Sequence, residues 1–239
     1  MSKPRIYRDV VQGSTAWLNL RLGVPTASQF HRIITPGGKP SKSQEPYRFE
    51  LIAEKLTGDP TAAFISTWMN RGSEEEENAL AFYEFTRDCK AEKVGFIRNG
   101  DVGASPDFLI GTNGMAEIKV CKPGVHVGYL LQEGTAYEEH VIQAQSQLWI
   151  AEREFNDLVA FNPKLPPAIH RANRDEFFIA QLRKEVGIFC EKLAELWSIC
   201  VSRGYVAQAQ EQRQTASDDW SKPLPSPQDA MKELLRGSK

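Results

Sequence analysis

Three charged residues near the middle of the chain are spaced for chemistry: Asp107, then Glu117 and Lys119 two positions apart. They sit in the stretch Ser105-Pro106-Asp107-Phe108-Leu109-Ile110-Gly111-Thr112-Asn113-Gly114-Met115-Ala116-Glu117-Ile118-Lys119, where two apolar runs flank turn residues. Strand formers on both sides of a Gly-Thr-Asn-Gly turn predict a β-hairpin. An alternating strand sends Glu117 and Lys119 to one face, and closure of the hairpin brings Asp107 opposite them. Two carboxylates and the intervening carbonyl of Ile118 are hard oxygen ligands suited to Mg²⁺ or Mn²⁺. A lysine beside them can hold an attacking water and neutralise charge building on a phosphate. An ordinary hairpin can show the same pattern as no more than its solvated face, since strands alternate this way routinely. The Ser-Pro-Asp turn, the spacing and the hairpin together set the two readings level.

The elements around this hairpin must position it. Upstream, residues 13–21 predict a short helix capped by Ser14 or Thr15, and Leu22-Gly23-Val24-Pro25 breaks it. A second helical piece opens at Thr26-Ala27-Ser28 and runs to Ile34, with Arg21 near its start. Free N–H groups, the Ser28 hydroxyl and an arginine fork make an anion site; the alternative is a surface arginine beside an ordinary cap. Residues 1–12 read as an irregular lead-in and residues 35–46 as a flexible basic loop whose Lys39 and Lys42 could touch a phosphate backbone. A helix follows over 47–57, ended by Gly58-Asp59-Pro60. Trp68 and Met69 come next and read as core. Ser73 caps a helix to about Cys89 that opens with Glu74 to Glu77. Acids in a first turn favour the helix dipole, yet four exceed that need, and one could reach the hairpin as a third metal ligand.

Strands are expected over 92–98 and 101–104, then the hairpin, then a turn at Cys121-Lys122-Pro123-Gly124 that sets Lys122 close to the proposed metal. Residues 125–135 carry no defined pattern. A helix over 136–153 bears Gln143 and Gln147 on one face. Strands follow at 156–162 and 168–173, and Asp175 caps a long helix to about Arg203. From Gly204 the composition turns to Gln, Ser, Asp and Pro, which predicts a mobile tail with one short amphipathic helix at 228–236. The expected division is a folded domain over 1–203 and a tail over 204–239.

The 239 residues, 41% hydrophobic and 25% charged, suffice for one sizeable core. No apolar run approaches a membrane span and no signal peptide opens the chain, so the expectation is a soluble cytoplasmic protein with no membrane partner. Cys89, Cys121, Cys190 and Cys200 show no CxxC pairing and read as reduced thiols, not a zinc site. The net charge of -2 and pI of about 6.1 mean that any nucleic-acid contact must use a local basic surface.

Five marks in order, spanning about residues 10–200, resemble the phage lambda exonuclease family, the YqaJ-like viral recombinases of the PD-(D/E)xK nuclease superfamily. They are Trp17-Leu18-Asn19-Leu20-Arg21-Leu22-Gly23-Val24-Pro25-Thr26-Ala27-Ser28; Gly72 with Glu76; Ser105-Pro106-Asp107; Glu117-Ile118-Lys119; and Gln143-Ala144-Gln145 with Trp149. The resemblance implies an α/β fold with a restriction-endonuclease-like core, a mixed central β-sheet flanked by helices. It implies a Mg²⁺-dependent nuclease that degrades one strand of duplex DNA from a 5′ end to mononucleotides and leaves a 3′ overhang for strand annealing. Asp107, Glu117 and the Ile118 carbonyl match the family's metal ligands, Lys119 its water-positioning lysine, and Glu76 the acid that helps hold a second ion. Gln143 matches its glutamine near the nucleophile. Arg21, Ser28 and Ser105 match its binders of the terminal 5′-phosphate, and Met69 its apolar wedge. A family arginine shortly after the catalytic lysine is missing here, with Lys122 or His126 as replacements. The resemblance further implies a homotrimer ring on double-stranded DNA ends, with a single-strand-annealing protein as partner in a host cytoplasm. An endonuclease or 3′-directed nuclease on the same core, and a non-catalytic end-binding scaffold, are the alternatives.

Overall fold

The computed structural model describes residues 3–60, 73–131 and 135–210. Met69, Gly72 and the expected helix at 228–236 lie outside these. Residues 1–197 form one compact unit and residues 198–239 a second, of which 198–210 are described.

The predicted hairpin is the centre of the first unit. Strand β5 (Phe108–Ile110) turns through Gly111, at φ 51°, into β6 (Gly114–Val120), with Phe108 opposite Ala116 and Ile110 opposite Gly114. The left-handed Gly111 is a conformation that glycine adopts without steric penalty. Around the hairpin stand β2 (Ala91–Lys93), β7 (Phe155–Phe161) and β8 (Ala168–Asn173), giving the order β2-β5-β6-β7-β8. The β6–β7 pair is parallel and its neighbours are antiparallel, so the sheet is mixed. A parallel pair needs a long crossover, here supplied by helices at Pro123–Leu131 and Thr135–Ala151.

With the helices numbered in chain order, α1 is Thr15–Arg21, α2 Gln44–Thr57, α3 Ser73–Arg87, α4 Pro123–Leu131, α5 Thr135–Ala151 and α6 Glu176–Ser202. A 3₁₀ helix covers Ala27–Arg32. The two faces of β6 part the molecule. Ala116 and Ile118 join Ala79 and Tyr83 of α3, with Val159 and Phe161 of β7, in one buried apolar cluster. Alternation sends Glu117 and Lys119 to the other face, where Gln143 and Gln147 of α5 meet Glu117. A second, antiparallel sheet, β1 (Arg5–Tyr7), β3 (Phe96–Asn99) and β4 (Val102–Ala104), packs Phe96 against Trp17 and Val24.

Several expectations are corrected. The lead-in is not irregular throughout: Arg5–Tyr7 pairs with β3 as an edge strand. The single strand expected over 92–98 is two strands of different sheets, parted at Gly95, where a Cβ would lie 1.9 Å from the backbone oxygen of Val10. The undefined stretch after Cys121 holds α4, opened by Pro123, a residue suited to a first helical turn. The basic loop is tied down: Thr35 N–H donates to the Lys39 carbonyl at 2.8 Å and Ser41 N–H to Ile33 at 2.9 Å, and α2 begins at Gln44.

On the α3 face, Asp157 of β7 is fully buried and accepts from Tyr83 Oη at 2.9 Å and from Arg171 Nε and Nη2 at 2.7 Å each. Burial, then the Asp157 charge, pushes the Tyr83 hydroxyl well above its ordinary range. This knot pins α3 and β8 to β7. A hydrogen bond to a charged group contributes about 1.5–3 kcal/mol. Tyr83→Phe is therefore expected to lower the unfolding free energy by about that amount in denaturant titration, with an unchanged m-value.

Candidate active site

The register of the hairpin builds the site. Phe108 faces Ala116 across the strands, and one step further sets Asp107 opposite Glu117 on the face away from α3. Directly opposite residues share a face. The β5 ladder has ended there, and Asp107 Oδ2 takes the place of a strand partner, accepting from the backbone N–H of Ile118 at 2.8 Å. In a strand the N–H and C=O of one residue point to the same edge, so the Ile118 carbonyl also faces the Asp107 side.

Glu117 is 2% exposed. Its Oε1 accepts from Lys119 Nζ at 2.9 Å and from Gln143 Nε2 at 2.8 Å, and its Oε2 from Gln147 Nε2 at 2.9 Å. Lys119 Nζ also donates to Gln143 Oε1 at 3.3 Å, which closes a triangle of lysine, glutamate and glutamine. A buried charge is tolerated only when paired and hydrogen-bonded, and this carboxylate has both. Glu117, Lys119 and Gln143 are therefore gathered as a unit, and Asp107 joins the same strand at the Ile118 N–H.

The donor set fits a hard divalent cation. It consists of two carboxylates and a carbonyl on neighbouring strands, an oxygen set that suits Mg²⁺ or Mn²⁺ over softer metals. Glu76 lies in the first turn of α3, the helix whose Ala79 and Tyr83 pack on β6. Among the described residues no three His, Cys, Asp or Glu side chains gather closely enough for one ion.

A second cluster lies two residues before Asp107. Arg21, at the end of α1, is 9% exposed; its Nη1 donates to Ser105 Oγ at 3.1 Å and its Nη2 to Thr26 Oγ1 at 3.2 Å. The guanidinium lies 4.4 Å over the Trp17 ring, and Trp17 Nε1 donates to the same Ser105 Oγ at 2.9 Å. Burial pushes Arg21 down to about 10, partly offset by Tyr47 and Glu54. A cation disfavoured by desolvation gains from any anion brought against it. Thr26 is held in turn by its N–H donating to Tyr47 Oη at 3.3 Å and by the bridge of its backbone to Gly103 of β4. Ser28 follows in the first turn of the 3₁₀ helix and is half-buried.

Lys122 is exposed just before α4. His126 is fully buried, with Nε2 donating to the Pro166 carbonyl at 2.8 Å, so it anchors α4 and does not face the site as a replacement cation. Two contributors escaped the sequence reading. Thr26 shares Arg21 with Ser105, and Gln147 holds the second oxygen of Glu117. The i, i+4 spacing of Gln143 and Gln147 was the available signal for the latter.

Among comparisons with known proteins, the family model of the YqaJ-like viral recombinase domain matches residues 16–154. The crystal structure of an alkaline exonuclease (LHK-Exo) from Laribacter hongkongensis matches with TM-score 0.66 and 28% identity, covering 86% of this chain and 99% of that one. The same enzyme in complex with dAMP matches at TM-score 0.65 and 28% identity, with the same coverage. A phage related exonuclease from Haemophilus somnus 129PT matches at TM-score 0.58 and 18% identity, over 73% of this chain and 95% of its own, a likeness of fold. No curated protein matches. The mixed sheet flanked by helices is thus the restriction-endonuclease-like α/β fold that the resemblance implied.

An anion seated on Arg21 should stabilise the folded protein by mass action, about 2.7 kcal/mol at a hundredfold excess over its Kd. Inorganic phosphate is expected to raise the melting temperature of the wild type but not of Arg21→Gln. Equal increments in the two would contradict the pocket.

Proposed function

The chain belongs to the YqaJ-like viral recombinase family, and on that premise we propose that it is a Mg²⁺-dependent exonuclease acting on linear double-stranded DNA. It removes mononucleotides from a 5′-phosphorylated end and leaves a 3′ overhang. The observation that carries this reading is the segment Ser105-Pro106-Asp107. Ser105 belongs to the Arg21 cluster and Asp107 to the Glu117 cluster. Two residues of chain span at most about 7 Å, the scale of one nucleotide of backbone. A terminal phosphate held by Arg21, Ser105 and Ser28 sets the next phosphodiester against Asp107, Glu117 and Lys119. Such a measuring device releases one nucleotide at a time, in keeping with a relative solved in complex with dAMP.

In the mechanism proposed, Asp107, Glu117 and the Ile118 carbonyl would hold a divalent cation, and Glu76 would help hold a second; a metal there would supply Lewis acidity and make water a better nucleophile. Lys119 orients the attacking water with its remaining N–H and offsets charge developing on the scissile phosphate. Gln143 keeps the Lys119 ammonium and the Glu117 carboxylate in register, since it touches both. Arg21 fixes the end of the strand, which converts encounter into a positioned attack. Lys122 adds a backbone contact and Met69 the wedge at the end base pair. The family resemblance also supports a homotrimer ring, a single-strand-annealing partner and action in the host cytoplasm. No described helix is long and apolar enough to cross a membrane.

Timed digestion of end-labelled linear duplex tests direction and metal need together. With Mg²⁺ the 5′ label should appear first, as mononucleotide; EDTA should abolish release, and covalently closed circles should remain intact. First release of the 3′ label, or cutting of closed circles, would overturn the assignment. Lys119→Ala should lose about 10²–10⁴-fold in kcat, the range for a group that positions or shuttles a proton, with duplex binding retained. A 5′-hydroxyl end should be cut more slowly than a 5′-phosphate end by the wild type, and Arg21→Gln should erase that difference.

A further inference from the structure

Behind Glu117 lies a chain of buried amides. Gln147 is 1% exposed and Asn156 fully buried. Gln147 Nε2 donates to Glu117 Oε2 at 2.9 Å, and Gln147 Oε1 accepts from Asn156 Nδ2 at 2.6 Å. Asn156 lies on β7 opposite Met115, on the same face as Glu117 by the alternation of the parallel pair. The direction of the chain follows from chemistry. An ionised carboxylate only accepts, so Gln147 must offer it the amide nitrogen, and its oxygen must then find a donor. Asn156 Nδ2 is that donor. The arrangement leaves Asn156 Oδ1 without a hydrogen-bond partner among the described residues. Buried polar atoms are rarely left so.

We propose that Asn156 is a positioning residue for the site: by holding the Gln147 oxygen it fixes the Gln147 amide with its N–H toward Glu117, and so sets the orientation in which Glu117 meets a divalent cation. Without that donor the Gln147 oxygen is buried and unsatisfied, so the Gln147 side chain shifts to find another partner and draws its N–H away from Glu117. The inference rests on the metal-site reading above and deepens it. Partners of this kind that orient a ligating side chain alter metal affinity by about 10–100-fold when removed.

The test is Mn²⁺ binding to DNA-free protein, followed by the loss of the aqueous Mn²⁺ resonance in electron paramagnetic resonance. Asn156→Leu is close in shape and removes the unpartnered oxygen together with the donor. It should melt within a few degrees of wild type yet bind Mn²⁺ at least about 10-fold more weakly. Gln147→Met should weaken binding by a similar factor, and adding Asn156→Leu to it should cause no further loss, because the first residue acts through the second. If Asn156→Leu does not fold, Asn156→Ala, which also removes the donor, is expected to show the same fall. Wild-type affinity in either folded variant, additive effects in the double variant, or no Mn²⁺ binding by the wild type would overturn it. Mn²⁺ binding that the variants weaken, in a protein that degrades no DNA, would sustain the inference while sinking the nuclease reading.

Discussion

A carboxylate buried under a sheet is the constraint on which the rest depends. Glu117 has lost nearly all contact with water, and an uncompensated charge in that position costs several kcal/mol. The fold meets this demand from three directions: Lys119 on the same strand, and Gln143 and Gln147 from one face of α5. Helix α5 must therefore lie across β6 at a fixed height and rotation. The packing of Trp149 against Phe30 at 6.1 Å and the bond from Asn99 Nδ2 to the Ile150 carbonyl at 3.1 Å hold it there. The apolar cluster on the other side of β6 keeps the strand from tilting.

The chain carries a second buried carboxylate, and the contrast is informative. Asp157 is matched by the two-pronged fork of Arg171 and by Tyr83, with Arg87 Nε 3.6 Å away. Bidentate arginine pairing is the strong, geometrically specific way to neutralise a carboxylate, and it suits a structural knot. Among the described residues Glu117 is matched by one lysine and two neutral amides. That set fixes the side chain in space without the closed fork, which leaves it suited to a cation. Asp107 adds a carboxylate tied to the neighbouring backbone N–H.

The hairpin was legible because everything it needs is local: turn residues, alternation and a register set by the length of the loop. The bond of Asp107 to the Ile118 N–H, and the pairing of Lys119 with Glu117 on one face, follow from that register. The Arg21 cluster was half legible. Ser28 and Arg21 showed a cap and a cation, whereas Thr26 enters through a backbone bridge to Gly103 that no local pattern announces. Strand β1 was hidden because its three residues become a strand only through β3. Helix α4 was hidden by two glycines and two valines, which lower intrinsic helix propensity, and it forms as part of the crossover between β6 and β7. Asn156 was beyond reach for a related reason. It meets Gln147 through the parallel pairing of β6 with β7, and that register is fixed only when the crossover packs.

The central claim is that Asp107 and Glu117 together hold a divalent cation beside Lys119. Anomalous diffraction at the manganese edge, from crystals grown with Mn²⁺, addresses it most directly. The account predicts a peak in direct coordination with both carboxylates and the Ile118 carbonyl. A peak that touches only one of the carboxylates, or none at this site while Mn²⁺ is bound elsewhere, would contradict it.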